Sequence, residues 1–284
     1  MMLAVEGLAL YRSLFSGTDA SVKDRIDAMR STVAALDDDD GHDPIEQLSV
    51  LVEERTLDAG YREWATTYDE LTNPLIEFEE STLLPILDAI TPGAALDVCC
   101  GTGRVLAHLD ARGHEVVGLD GSSDMLLLAA SKVGVERLVC GDIVDPQVAG
   151  RLGRDRFDVV TCCLALTHYV SLTDPIAAIA AVARPGATIV LSDIHPFWTM
   201  LDAQGFFVVG DGRTGFVRNH HHRHADYLDA FAAAGLAVRR CLEPTAAPGT
   251  GPFVGTVPAL RPEAAAVAYT GAPFVLLWVL ERIG

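Results

Sequence analysis

The chain changes its hydrophobic period near Ala94. Before that point apolar residues recur at helical spacing: Leu8, Tyr11, Leu14 and Phe15 share one helix face, as do Val22, Ile26, Met29 and Val33. Asp43-Pro44 and Asn73-Pro74 each place a capping residue before a proline, so further helices are expected to start there. Beyond Ala94 seven short apolar runs alternate mainly with helical segments: "AALDVCC", "HEVVGLD", "RLVCGD", "FDVVTCCLAL", "ATIVLSD", "LAVRRCLEP" and "PFVLLWVLE". Runs apolar on both faces suit a parallel sheet covered by helices on both sides. The expected class is α/β and doubly wound, with residues 1–72 as an N-terminal helical cap and residues 73–284 as a mainly parallel seven-stranded domain.

Two stretches break this order. Between the fifth and sixth strands, residues of about 196–224 hold Gly-Asp-Gly between "FFVV" and "TGFV", which predicts an aromatic-rich β-hairpin insert. Between the sixth and seventh, residues 244–266 form a Pro/Gly-rich loop to which no function is assigned.

Charge narrows the partners. The chain has 284 residues, half of them hydrophobic, so it can bury a sizeable core, and its formal net charge is −18. Residues 1–91 carry 20 acidic and 6 basic side chains, so most of the excess lies there. Such a surface repels a phosphate backbone and an anionic membrane. Neither nucleic acid nor a membrane is expected as partner, and the acidic run Asp37–Asp40 reads as a solvated loop between helices. The six cysteines, Cys99, Cys100, Cys140, Cys162, Cys163 and Cys241, show no C-x-x-C spacing and read as reduced packing residues. The first residues lack a basic leader region, and the run "PFVLLWVL" falls far short of the roughly 20 residues that cross a bilayer, so a cytoplasmic location is expected.

In open α/β sheets ligands bind at the carboxyl ends of the strands. Here the first three strands end near Asp97, Asp120 and Asp142. Three carboxylates oppose a pyrophosphate but suit a ligand rich in hydroxyl, amine and cationic groups. A dinucleotide fingerprint starting at Gly101 needs glycine at 106, where Leu106 stands, and no phosphate-loop lysine follows.

"DVCCGTG", with Asp97, Gly101 and Gly103 in place and Cys99 as a departure, resembles the first motif of the class I S-adenosylmethionine-dependent methyltransferases. The resemblance runs from about Tyr61 to the C-terminus, through "GYREWATTYDELTNPL", "VVGLDGSSDMLLLA", "CGDI", "FDVVTCCLALTHYV" and "ARPGATIVLSDIHP". It implies a Rossmann-like domain that binds S-adenosylmethionine and releases S-adenosylhomocysteine. On that likeness the Gly101–Gly103 loop approaches the methionine part and Asp97 orders it. Asp120 takes the ribose hydroxyls and Asp142 the adenine amine, with Met125 and Ile143 flanking the ring. Tyr61 or Tyr68 closes the site from the cap, and Cys99, Gly121 and Leu164 complete the cofactor set.

Methyl transfer is an in-line displacement at an activated carbon, so the protein supplies orientation, exclusion of water and, where needed, a base. His168 and His195, which follow the fourth and fifth strands, are the catalytic candidates. Tyr169, Phe197, Trp198, Phe216 and His222 are the substrate-side candidates, and their aromatic content suits a small, flat, largely apolar metabolite, as in natural-product members of the family. The histidine run His220, His221, His222 and His224 has no Cys or carboxylate partner at ligand spacing, so no metal is expected. The leading reading is a small-molecule methyltransferase acting on O, N or C. A non-methylating cyclase or isomerase on the same fold and a protein methyltransferase stand behind it. A homodimer is compatible with the sequence, which does not specify substrate or oligomeric state.

Overall fold

The computed structural model describes residues 2–17, 19–36, 52–65, 67–69, 73–208, 214–245 and 262–283. A strand that the helical reading of the cap did not foresee, β1 (Glu53–Arg55), comes first. It is followed by β2 (Ala94–Val98), β3 (Glu115–Asp120), β4 (Leu138–Cys140), β5 (Phe157–Cys163), β6 (Ala183–Ile194), β7 (Gly205–Val208), β8 (Thr214–Val217), β9 (Leu236–Leu242) and β10 (Val275–Arg282). Seven of these form one sheet in the order β4-β3-β2-β5-β6-β10-β9. All its neighbours pair parallel except β10, which runs antiparallel to both β6 and β9. This is the doubly wound, mainly parallel architecture expected of the sequence. The strand order reverses at β2, whose neighbours are β3 and β5, so the carboxyl ends of these strands form the crevice where α/β sheets bind ligands.

The helices are α1 (Met2–Ser16), α2 (Asp19–Leu36), α3 (Leu57–Ala65), α4 (Pro74–Asp88), α5 (Arg104–Ala111), α6 (Ser123–Val133), α7 (Pro146–Leu152), α8 (Thr173–Val182), α9 (Pro196–Met200), α10 (His224–Ala233) and α11 (Pro262–Tyr269). The expected start at Asn73-Pro74 is present, with the Asn73 side chain accepting from the Leu75 N–H at 3.1 Å. Asp43-Pro44, Asp37–Asp40 and the Gly210-Asp211-Gly212 turn lie outside the described residues.

The chain divides into two units. The larger contains residues 52–72, 79–243 and 275–284, hence the sheet, α3 and the insert. Its core is formed by strand residues such as Leu96, Val160, Ile189 and Leu276 and by Ile176 and Ile179 of α8, all fully buried. The central strands β2 and β5 are buried on both faces, as in a sheet covered by helices on both sides, whereas edge strand β9 is largely exposed. In the insert β7 and β8 pair antiparallel as the sequence predicts, and β1 adds parallel to β8 to make a separate three-stranded sheet. Gly60 lets α3 approach that sheet: a Cβ there would fall 2.3 Å from Val217 Cγ1.

The smaller unit contains residues 1–51, 73–78 and 244–274. Val5 and Ala9 of α1 pack with Ala264, Ala265 and Ala268 of α11, and Arg12 donates to the Ala268 and Thr270 carbonyls at 3.0 and 2.6 Å. The expected apolar face of α1 is therefore not the buried one. Tyr11, Leu14 and Phe15 are exposed, because the alanine side of α11 receives the small residues of α1 instead. Val33 of α2 is likewise exposed. Within the Pro/Gly-rich 244–266 stretch, α11 begins at Pro262, while residues 246–261 lie outside the description.

Candidate active site

At the strand-order reversal lies a cavity of about 370 Å³ lined by the ends of β2, β3 and β5, by the loops that follow β4 and β5, and by α3. The glycine-rich turn after β2 shapes one wall. Cys99 and Gly101 both sit at φ 54°, and Gly103 at φ 80° begins α5. Gly101 faces open space, whereas a Cβ on Gly103 would lie 3.0 Å from Ala129 Cβ, so the second glycine serves the close approach of α5 to α6. Cys99 holds its left-handed conformation without glycine's freedom and is itself a cavity residue.

The three strand-end carboxylates play different parts. Asp120 accepts from the Gly101 N–H at 2.7 Å and the Ser122 N–H at 2.8 Å, which fixes its carboxylate at the cavity wall. Its pKa is raised, because burial outweighs those two bonds. Asp142 accepts from the Val144 N–H at 3.1 Å and from the Tyr169 hydroxyl at 2.7 Å on the same oxygen. Asp97 does not line the cavity but lies buried beneath the turn. Its Oδ1 accepts from Thr161 at 2.6 Å, its Oδ2 has no hydrogen-bond partner among the described residues, and burial pushes its pKa up to about 7.

The turn is braced from outside. Arg104, the first residue of α5, donates to Glu79 at 2.6 Å and to Glu80 at 3.0 Å on α4, and Ser192 of β6 hydrogen-bonds the same buried Glu79. Thr102 donates to Asp69 at 2.8 Å, and Lys132 pairs with Asp69 at 2.8 Å.

The opposite wall is aromatic. Tyr61 and Tyr68 line the cavity, and Trp64 stacks on Tyr61 at 5.7 Å and on Phe207 of the insert at 5.4 Å, with Tyr68 at 5.1 Å. The Tyr61 hydroxyl lies 2.7 Å from His168 Nε2. His168 Nδ1 lies 3.0 Å from the Arg218 carbonyl oxygen and therefore carries the hydrogen, so Nε2 accepts from Tyr61. Burial lowers the His168 pKa and raises that of Tyr61 well above its ordinary value, so both stay neutral near pH 7.

The loop holding His168 is fixed on several sides. Asp193, which precedes Ile194 at the end of β6, accepts from the Thr167 N–H at 2.7 Å, the Thr167 hydroxyl at 3.0 Å and the Ile194 N–H at 2.8 Å. Burial pushes its pKa up to about 7. From the insert, the His220 N–H donates to the Thr167 carbonyl at 2.6 Å and His222 Nε2 donates to the Tyr169 carbonyl at 2.8 Å.

Of the expected cofactor residues, Tyr61, Tyr68, Cys99, Gly101, Asp120, Gly121, Met125, Asp142, Ile143 and Leu164 line this cavity, and Asp97 and Gly103 support it from behind. His168 and Tyr169 are cavity residues too, but His195 is not. The two histidines that follow the fourth and fifth strands thus occupy different places. His195 Nδ1 accepts from the Phe197 N–H at 3.1 Å as the cap of α9, and its Nε2 lies 2.8 Å from Glu243. Phe197, Trp198, Phe216 and His222 do not line the cavity either. Trp198 is buried against Phe197, Phe216 packs against Phe206 within the hairpin, and His222 ties down the Tyr169 carbonyl. Reading the sequence missed Trp64, Leu57 and Asp58 on α3, and Asp193. An aspartate closing a strand was available as a signal for Asp193, by the same rule that picked out the other three.

Comparison with known proteins agrees with this geometry. Residues 95–186 match the family described as methyltransferase domain. Over 126 residues the chain is 33% identical to dTDP-3-amino-3,4,6-trideoxy-alpha-D-glucopyranose N,N-dimethyltransferase of Streptomyces venezuelae, covering 42% of this chain and 50% of that one. Over 156 residues it is 32% identical to ubiquinone biosynthesis O-methyltransferase of Hahella chejuensis, covering 54% of this chain and 64% of that one. The matched stretch thus spans between half and two thirds of the length of these relatives. Among solved structures, an S-adenosylmethionine-dependent methyltransferase from Clostridium acetobutylicum superimposes with a TM-score of 0.55 at 15% identity, covering 79% of this chain and 100% of that one. A DhpI-SAM-HEP complex does so with a TM-score of 0.53 at 20% identity, covering 78% and 94%. Residues 95–186 thus match a methyltransferase-domain family, and the chain shares its fold with a solved S-adenosylmethionine-dependent methyltransferase. No helix among the described residues is long and apolar enough to cross a membrane.

The residues present fit the cofactor of that class. Asp97 keeps one buried carboxylate oxygen without a partner beneath the turn, Gly101 and Gly121 leave open space at the wall, and Asp120 and Asp142 present acceptors at neighbouring strand ends.

Proposed function

We propose that this protein is an S-adenosylmethionine-dependent methyltransferase acting on a small, largely apolar or aromatic metabolite, in the manner of natural-product methyltransferases. The observation that carries the reading is the convergence of Asp120, Asp142 and the open Gly101 backbone on one cavity, with the orphaned oxygen of Asp97 below it. Asp120 and Asp142 are hydrogen-bond acceptors suited to ribose hydroxyls and an adenine amine, Met125 and Ile143 supply apolar faces for the ring, and the turn admits the methionine portion. The bound cofactor supplies a methyl group on a sulfonium, already activated for displacement. The protein's own part is to exclude water, through the Tyr61–Trp64–Tyr68 wall, and to position the acceptor atom.

His168 is the imidazole at this cavity, and its Nδ1–H bond to Arg218 leaves Nε2 as the basic atom. An acceptor hydroxyl that hydrogen-bonds the Tyr61 oxygen passes its proton to that oxygen as Tyr61 gives its own to Nε2, so no tyrosinate need form. An amine acceptor needs no such step. Within the larger unit α3 would close the cofactor side of the cavity.

Two measurements test the reading. Calorimetry with S-adenosylhomocysteine should show one site per chain. Labelled methyl from S-adenosylmethionine, offered with a panel of phenols, amines and amino sugars, should appear in one class of product. Absence of cofactor binding overturns the proposal. Binding accompanied by substrate conversion without label transfer replaces it with a cyclase or isomerase on the same fold.

A further inference from the structure

Outside the cavity, three side chains from separate elements meet on the larger unit. His195 follows β6, His224 begins α10 and Glu243 follows β9. His195 Nε2 and His224 Nε2 each lie 2.8 Å from the same oxygen, Glu243 Oε1, and one ligand-type atom from each residue lies within 4.8 Å of the others. The imidazole rings stand 5.4 Å apart at 61°. The histidine run offered no carboxylate at ligand spacing in sequence; the fold brings one from 19 residues further along the chain.

We propose that His195, His224 and Glu243 form a site for one divalent transition-metal ion of the zinc class. Two imidazole nitrogens and one carboxylate oxygen are a donor set that selects zinc and its neighbours over magnesium or calcium. Metal–nitrogen and metal–oxygen bonds of about 2.0–2.2 Å put neighbouring ligand atoms roughly 3 Å apart, close to the two 2.8 Å nitrogen–oxygen separations here, and all three ligand atoms already lie within 4.8 Å of one another. His195 is buried, which restricts the movement of its ring. His224 and Glu243 are partly exposed, which gives the ion an entry path and leaves a coordination position for water. The −18 net charge of the chain favours cations generally, and among the described residues this cluster is the one group of three or more His, Cys, Asp or Glu side chains whose ligand atoms converge.

The site has a built-in consequence. Without metal, His195 carries its hydrogen on Nε2, because Nδ1 accepts the Phe197 N–H. Ligation through Nε2 moves that hydrogen to Nδ1, where it faces the Phe197 N–H and breaks the cap of α9. The ring stays neutral and no net proton is released. Metal binding therefore loosens the first turn of the aromatic insert, so the ion is coupled to the element that carries Phe197 and Trp198.

Zinc chloride titrated into the full-length protein by calorimetry, in a buffer that does not bind zinc, should show one equivalent bound with micromolar affinity. His224→Ala and Glu243→Gln, both at partly exposed positions, should each weaken it at least a hundredfold, while Cys241→Ser, two residues away, should leave it unchanged. Cobalt in place of zinc should give visible bands without a thiolate charge-transfer band, and the Phe197 amide should shift and lose exchange protection on binding. Unchanged affinity in both His224→Ala and Glu243→Gln, or a thiolate band, overturns the proposal. These readouts are independent of methyl transfer, so they stand or fall apart from the functional reading.

Discussion

The two walls of the cavity are built by different means. The strand-end wall is held mainly through backbone groups: Asp120 is pinned by the N–H groups of Ser122 and of Gly101 in the adjoining turn, and that turn is shaped by glycines at positive φ. The aromatic wall is held by side chains far apart in sequence: Tyr61 meets His168 across 107 positions, and Trp64 stacks on Phe207. A wall fixed by local backbone geometry tolerates little change and serves an invariant ligand. A wall fixed by side-chain contacts can be repacked, and it suits the part of the site that sets which acceptor is admitted.

The largest effect should come from the point where the two walls meet the reaction. His168→Ala removes the basic nitrogen and unties the Tyr61 hydroxyl. For an acceptor that must lose a proton, kcat should fall about 10²- to 10⁴-fold with S-adenosylhomocysteine affinity retained. A change confined to cofactor affinity would place His168 with the strand-end wall and break the comparison.

Asp120→Ala should act in the opposite register. It deletes a charged acceptor and leaves the Gly101 and Ser122 N–H groups unpaired, so S-adenosylhomocysteine binding should weaken by about 1.5–3 kcal/mol, roughly 10- to 150-fold. Calorimetry that finds wild-type affinity removes Asp120 from the site.

The buried Asp97 makes the strand-end wall sensitive to pH. Its carboxyl titrates near 7 because burial opposes the charge. Between the ordinary carboxylate value and about 7 the native group holds a proton that the unfolded group has lost, so its contribution to stability falls as pH rises across that window. Asp193, raised for the same reason, adds to the same slope. A cationic ligand favours the ionised Asp97, so cofactor affinity should rise with pH by up to about tenfold per unit below 7 and then level off. Asp97→Asn should flatten the affinity profile, read by calorimetry, and reduce the stability slope to the share Asp193 contributes, read by urea midpoints at about pH 5 and pH 7.5. An affinity that falls with rising pH contradicts the assignment.

The contrast between the walls also explains what was legible in the sequence. Asp97, Asp120, Asp142 and the glycine turn are marked by position, since each follows an apolar run whose strand character and order were readable. Tyr61 and Tyr68 were marked by resemblance to a family. Trp64 carried no local mark, because its partners Tyr61, Tyr68 and Phe207 come together only when α3 packs on the insert. His195 lies outside the cavity lining for a different reason. Its place after a strand suited a base, but the following Pro196 begins a short helix that takes its Nδ1 as a cap, and Glu243 from β9 takes its other nitrogen. The aromatic insert was read as substrate-facing from composition, whereas Phe216 packs on Phe206 within the hairpin and Trp198 is buried on α9 against Phe197.

The smallest expected effect separates the two tyrosines of the aromatic wall. Tyr61→Phe keeps the ring, its stacking on Trp64 and its place at the cavity, and removes only the hydroxyl that His168 Nε2 accepts from. The loss of one neutral hydrogen bond predicts a stability cost of about 0.5–1.5 kcal/mol, or a fall in Tm of roughly 1–5 °C for a chain of this size. Tyr68→Phe removes a hydroxyl for which no hydrogen bond is seen among the described residues, and burial, which pushes its pKa up to about 12, already disfavours its charged form. That substitution should leave Tm unchanged or slightly raised. In turnover the same order should hold: Tyr61→Phe slows the transfer to an acidic acceptor hydroxyl by interrupting the path to His168, and Tyr68→Phe does not. Equal effects of the two substitutions on both Tm and kcat would mean that the aromatic wall acts by shape alone, with the Tyr61–His168 bond contributing nothing beyond packing.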